Sequence, residues 1–574
     1  MVRLKVSIRD RNATALSLLV WLLFFGVCGC VAKPSDILSS SPQSVPRYRL
    51  AVRLLPDAHR LEASGTLQLA AVNFPRNSID LSLSELMSGL RVDVVSPAVS
   101  AGETKLDKTE RPYSRPGWGT TTWTISPRQP FPPNESILLH FSYAGEGERA
   151  GFIFDLGSEV SFAGGIGTAW YPEVEEVTGD NDGRLRGQRG TGMLEFLVPT
   201  GYLVHASGTA HSLPSEISQG TFRFEINDPT FFSFGAAKYT VQRRGGTIPT
   251  ALYLLRPRKD AAAFLDGAAR VLGALTKEFG GYPHAEFAII EVPTKQAGRA
   301  GFDGASVDGF IFANSDFLDK GFNTAYFGHE ISHQWWGSLI TSKALEGRWM
   351  LSEGMAQFGS LRAVESLEGE AAAERYRRTG YPGYISDQCA LGYFALLARG
   401  LDHPLFNLPL EGNQSRTLSD SKGFIVWDML SRTVGRTVFS RNLQNFIIVH
   451  KYQRVSWQEF LEAVEGDAGK NLKWFADQWL EQTGAPDYQL TWKQNGKILR
   501  GTVSQPAPYF RAALEIEVQG SARTIDKLIE ITGDHVSFDW NVPFRVDSVT
   551  LDPHYQVLRW TPEFHAHFPH PNLK

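Results

Sequence analysis

Short runs in which apolar and polar residues alternate fill the chain from Tyr48 to about Tyr239. Tyr48 to Leu54 and Gly65 to Leu69 are examples, with Gly, Pro, Asn and Asp breaking the pattern between runs. A period of two sends one row of side chains inward and the other to solvent, so this stretch predicts a β-rich domain. The period changes after about Asp260. Asp260 to Phe279 spaces its apolar residues for one face of a helix, and further helical patterns follow between Asn323 and Leu480. A β run, Glu286 to Val292, sits between the first helix and the later ones, so the middle of the chain predicts an α+β domain. Alternation returns after about Pro486, as in Leu514 to Val518, and predicts a small closing β-sandwich.

The first thirty residues follow none of these patterns. Arg3, Lys5, Arg9 and Arg11 precede a mostly apolar stretch from Ala13 to Val27, which is signal-peptide sized and short for a membrane span. It ends Val27-Cys28-Gly29-Cys30, which resembles a bacterial lipobox and makes Cys30 the expected lipid-modified amino terminus. An ordinary secretory signal or an uncleaved anchor is the plainer alternative. Ser35 to Gln43 then reads as a tether. The expected layout is a signal peptide at 1–29, a lipid-anchored linker at 30–45 and an N-terminal β domain at 46–240. A central α+β domain at 241–485 and a C-terminal β-sandwich at 486–574 complete it. Export to the cell envelope follows, with Val31 leaning towards the outer membrane over a merely periplasm-facing position.

Composition adds exclusions. The 574 residues are 42% hydrophobic and 21% charged, with 57 basic against 61 acidic side chains. That balance argues against nucleic acid as a partner. Of three cysteines, only Cys389 lies beyond the signal and lipid positions, so no disulfide framework is expected despite export. Cys389 reads as a buried, inert thiol. Oligomeric state is not legible.

The chemistry concentrates at His329-Glu330-Ile331-Ser332-His333. Asn323 or Thr324 can cap a helix there, and Phe327, Ile331 and Trp335 form its apolar stripe. Residues four apart share a helix face, so both imidazoles can meet one metal while Glu330 reaches a metal-activated water as general base. Ser352-Glu353-Gly354 then opens a second helical pattern, with Ser352 as its expected cap and Glu353 in its first turn. Glu353 alone reads as a helix-dipole carboxylate; beside a dihistidine site it becomes a third ligand.

The run from His329 to Phe358 resembles the zinc motif of the aminopeptidase N family of gluzincins. Trp170-Tyr171-Pro172 resembles a landmark of that family's N-terminal β domain, and Trp474 to Leu490 the end of its catalytic domain. The resemblance implies a multidomain α+β fold: an N-terminal β-sheet domain, a thermolysin-like, mainly helical catalytic domain, and a C-terminal β module. It implies Zn2+ held by His329, His333 and Glu353, Glu330 as base, and peptide or protein substrates.

Three departures qualify it. The segment 334–352 is one residue longer than is usual, which a loop around Lys343 to Gly347 can absorb. The substrate-edge strand maps to Gly304, Ala305, Ser306 and Val307, so Val307 stands where the family has the Glu that binds a free α-amine. Asp303 or Asp308 could replace it, though both read equally well as turn residues. Asp420 stands where the family has an oxyanion-stabilising Tyr, and Tyr381, Tyr384 or Tyr393 could supply the hydroxyl instead. The sequence therefore points to an envelope zinc metallopeptidase with atypical amine recognition. A catalytically weak, zinc-containing peptide-binding envelope protein is the alternative, and an ordinary aminopeptidase with a shifted strand a third reading. His565, His567 and His570 read as a solvated tail.

Overall fold

A computed structural model describes residues 45–147, 149–165, 167–175, 187–343, 346–384, 387–408 and 413–568. The signal segment, Cys30 and the tether lie outside the described residues.

The N-terminal alternation becomes sheet. Arg47–Leu55 pairs in parallel with Gly190–Leu197 and antiparallel with Arg60–Leu69 inside an eight-stranded sheet. Tyr48, Leu50, Val52 and Leu54 are buried while Arg47, Arg49, Ala51 and Arg53 face solvent. Two four-stranded sheets accompany it. Trp170 and Tyr171 lie in this core, with Trp170 Nε1 donating to the Phe232 carbonyl at 2.6 Å.

The next sheet has five strands in the order Thr240–Arg244, Thr250–Leu254, Phe287–Val292, Phe310–Asn314, Gly304–Val307. Its three inner strands are parallel and its two outer ones pair antiparallel. The inner strands are buried at every position, because the helix Ala261–Phe279 packs on one face and residues such as Val160 and Phe162 on the other. Gly304–Val307 is left as an edge.

Beyond it the chain is mainly helical to Trp479, followed by two three-stranded antiparallel sheets. The fold is thus α+β, with β-sheets at the start, helices in the middle and a small β-sandwich at the end. The helices and the C-terminal strands share one continuous core. Phe394 packs on the segment that follows those strands, 4.6 Å from Trp560 and 4.7 Å from Phe564 between ring centroids.

The carboxyl end corrects the expectation of a solvated tail. Pro562–His567 is a helix capped by Thr561. His565 stacks on Trp560 at 4.9 Å and bonds Asp487 Oδ2 at 3.1 Å. His570 lies outside the described residues. Cys389 is buried as expected, and burial pushes its thiol up to about 11.

Candidate active site

Two helices meet at the centre of the middle region. In Thr324–Ser332, Asn323 is the cap, its side chain accepting from the Tyr326 amide at 2.9 Å. The four-residue spacing then brings His329 Nε2 and His333 Nε2 to 3.1 Å of each other. The opposing helix brings Glu353, whose oxygens lie 3.4 Å from His329 Nε2 and 3.7 Å from His333 Nε2. The three ligand atoms fall within 4.8 Å of one another.

Glu353 does not follow a Ser352 cap as the sequence suggests. Helical backbone already begins at Arg348, and Met350–Gly354 forms a π-helical turn leading into Met355–Glu368. The wider turn adds a residue without ending the helix, and such bulges recur at functional sites.

The outer nitrogens are committed. His329 Nδ1 lies 2.7 Å from Gln357 Oε1, and His333 Nδ1 lies 2.8 Å from the Trp336 carbonyl. Both partners are acceptors, so each Nδ1 carries the proton and each Nε2 lone pair faces the other and Glu353. Glu353 Oε2 is buried without a hydrogen bond. Two bare imidazole nitrogens at 3.1 Å beside an unsatisfied carboxylate are a donor set for a borderline cation, and they fit zinc.

The electrostatics favour a positive charge between the imidazoles and Glu353, either a proton or a cation. Burial pulls the His329 imidazole down, but the adjacent Glu353 carboxylate outweighs it and lifts it to about 9. Burial would raise Glu353, yet His333 and His329 hold it well below the carboxylate range. Burial raises the Glu330 carboxyl, and the nearby histidines offset only part of this.

The edge strand passes directly beside Glu330. A Cβ added at Gly304 would sit 2.4 Å from Glu330 Oε1 and 2.4 Å from the Tyr326 hydroxyl, so any larger residue must displace one of them. Strand alternation divides the four expected substrate-binding residues. Gly304 faces Glu330, and the Ser306 hydroxyl accepts from Gln334 Nε2 at 2.7 Å. Ala305 and Val307 belong instead to a buried cluster containing Phe162, Phe302, Phe310 and Phe312. Asp308 is buried and already engaged, accepting from Arg189 Nη1 and from the Phe231 amide, each at 3.0 Å. Asp303 stays exposed, its carboxylate taking a 3.1 Å bond from Asn314 Nδ2.

Of the three tyrosines, Tyr381 donates to Glu368 and Tyr393 to Asp402. Tyr384 lies with its ring 6.5 Å from His329, and its hydroxyl has no hydrogen bond among the described residues. Asp420 is fully buried behind the site. It ends a chain of contacts that the motif does not reveal: Gln357 Nε2 to Gln388 Oε1 at 3.1 Å, then Gln388 Nε2 to Asp420 Oδ2 at 3.0 Å. Burial, and then the charge of Glu353, push the Asp420 carboxyl up to about 7. Arg416 Nε lies 3.6 Å from Asp420 Oδ2 and is half exposed. Gln357 was findable, because it follows Glu353 by four residues on a helical pattern.

Comparison with known proteins follows the same geometry. Residues 316–479 match the Peptidase family M1 domain. The chain is 30% identical over 244 residues to Aminopeptidase 2 of Candida albicans, covering 40% of this chain and 25% of that protein. It is 30% identical to Aminopeptidase N of Lactococcus lactis over 28% of this chain and 18% of that protein. The aligned part thus spans about a quarter or less of these relatives. Among solved structures, an M1 zinc metallopeptidase from Deinococcus radiodurans superposes with a TM-score of 0.57 at 17% identity, covering 77% of this chain and 94% of that one. Legionella pneumophila aminopeptidase A superposes at 0.60 and 14% identity, covering 90% of this chain and 59% of that one. At such identities the superpositions establish the fold. Together with the domain match and the relatives' local identity, they show a Peptidase family M1 domain at residues 316–479 on a fold similar to that of M1 zinc metallopeptidases.

Proposed function

We propose that this chain is a zinc-dependent metallopeptidase that hydrolyses peptide bonds with Glu330 as general base, and that it lacks the usual carboxylate for a free amino terminus. The observation that carries the reading is the convergence of His329, His333 and Glu353 within 4.8 Å, with Glu330 beside them and an edge strand at Gly304. His329, His333 and Glu353 would hold the zinc, whose Lewis acidity acidifies water and polarises a carbonyl. A peptide can lie along Gly304–Val307 as an added strand, held by main-chain hydrogen bonds. Glu330 takes a proton from the attacking water and returns it to the leaving nitrogen. Its burial favours the protonated form and so assists the second transfer. The Tyr384 hydroxyl is the donor available to the developing oxyanion, since Asp420 is buried behind the site and engaged by Gln388 Nε2.

Atypical amine recognition is supported by what stands at the expected position. Val307 is buried in an aromatic cluster and Asp308 is bound by Arg189, which leaves Asp303, exposed and bonded by Asn314, as the neighbouring acid. Lipidation at Cys30 and attachment to the cell envelope belong to the same proposal, on the strength of the basic, apolar and Cys-Gly-Cys segments. The alternative is a zinc-containing binding protein of weak activity, and Asp420 at the oxyanion position favours it.

The test is hydrolysis of an unstructured peptide by zinc-loaded protein. Activity should disappear on chelation, return with zinc and fall roughly 100- to 10,000-fold in Glu330→Gln at unchanged zinc content. Peptide binding without turnover would favour the binding protein.

A further inference from the structure

A cavity of about 280 Å3 lies at the amino-terminal end of the dihistidine helix. Phe317, Lys320, Asn323, Tyr326, Arg375 and Tyr381 are among the residues that line it. It shares a wall with the metal site. Tyr326 lines the cavity, and its hydroxyl lies beside Glu330 across Gly304. Gly383 also lines it, next in sequence to Tyr384.

Its charge is unbalanced. Among the described residues Lys320 and Arg375 have no carboxylate partner, and Lys320 only caps the Phe317 ring at 4.7 Å. The one acid in the lining, Glu368, takes the Tyr381 hydroxyl at 2.7 Å. Asp303 is nearby but outside the lining, and its carboxylate is turned to Asn314.

Direction and distance identify what this cavity can receive. The edge strand runs alongside the dihistidine helix, with Gly304 beside Glu330 and Val307 beside Gln334, whose Nε2 donates to the Val307 carbonyl at 2.8 Å. A peptide added antiparallel to that strand carries its amino end past Val307 and its carboxyl end past Gly304, towards the cavity. Asn323 precedes His329 by six residues, about 9 Å along a helix at about 1.5 Å per residue. That is the reach of about three extended residues at about 3.3 Å each. A peptide α-carboxylate is ionised at neutral pH and complements a lysine and an arginine that line one cavity.

We propose that Lys320 and Arg375 bind the free α-carboxylate of the substrate, so that this enzyme takes short peptides and sets its cleavage position from their carboxyl end. The proposal rests on the peptidase reading and deepens it. It also gives a counterpart to the apolar Val307 end, where the buried acid, Asp308, is already engaged by Arg189.

The test separates the two. Leu-Ala-Ala is titrated as the free acid and as the carboxyl-terminal amide against zinc-loaded Glu330→Gln protein by calorimetry, and kcat/KM for both is measured with the wild type. The expected result is at least tenfold tighter binding of the acid, lost in Lys320→Ala/Arg375→Ala through KM, with the kcat for the amide unchanged. Acid preference in binding without turnover by the wild type would support the carboxylate site and sink the peptidase reading. Equal Kd and equal cleavage of acid and amide would overturn the carboxylate site and leave the peptidase standing.

Discussion

At the metal site each imidazole has one nitrogen committed, His329 to Gln357 and His333 to the Trp336 carbonyl. Those bonds fix which nitrogen is bare before any ion arrives, and Gln357 is in turn held by Tyr376 at 2.7 Å and by Gln388. Gln357→Leu should therefore weaken zinc binding about 10- to 100-fold with the ligands untouched, read by competition with a chelator. Unchanged affinity would show that the helices alone orient His329. The convergence of His329 and His333 was legible in the sequence, because a helix fixes what residues four apart can reach. Asp308 was not. Its partner Arg189 lies 119 residues away, and no local pattern announces a pairing across that distance.

Among the elements, the edge strand has little room beside the site. Backbone at Gly304 lies against Glu330 and Tyr326, so a single methyl group at 2.4 Å from both must move one of them. Gly304→Ala should lower kcat at least ~10-fold, since small displacements of a catalytic group cost that much or more. Zinc content should not change, and a wild-type kcat would contradict the close approach. Strand and helix identities were readable here from the change of period, as at Ala261–Phe279 and Phe287–Val292. The π-turn at Met350–Gly354 was not, because one extra residue in a helix leaves the apolar spacing on either side intact. That is why Ser352 looked like a cap and proved to be mid-helix.

Across the whole molecule, the N-terminal sheets and the helical region meet near Glu173, just after Trp170-Tyr171-Pro172. Gly187 packs against the Glu173 carboxylate, and Arg454 from the helical region donates to the Gly187 carbonyl at 3.0 Å. Burial pushes the Glu173 carboxyl up to about 8 from an ordinary value of 4.5. Between those values the folded chain holds a proton that the unfolded chain releases, so this contribution to stability is full below pH ~4.5 and lost as pH rises through about 8. Glu173→Gln should flatten the fall of Tm with pH over that window, and an unaltered Tm profile would show the carboxyl to be ionised throughout. The three-part architecture was visible as two changes of period. The shared core between helices and C-terminal strands, and the docking of His565 on Trp560, come from packing between segments far apart in sequence. The central claim is a zinc peptidase that no longer requires a free amino terminus. One peptide library, offered in free-amine and N-acetylated forms to zinc-loaded wild type and to Glu330→Gln, tests it most directly by mass spectrometry. The account predicts that wild type cleaves both sets and Glu330→Gln neither; cleavage confined to the free-amine set, or none that depends on Glu330, would contradict it.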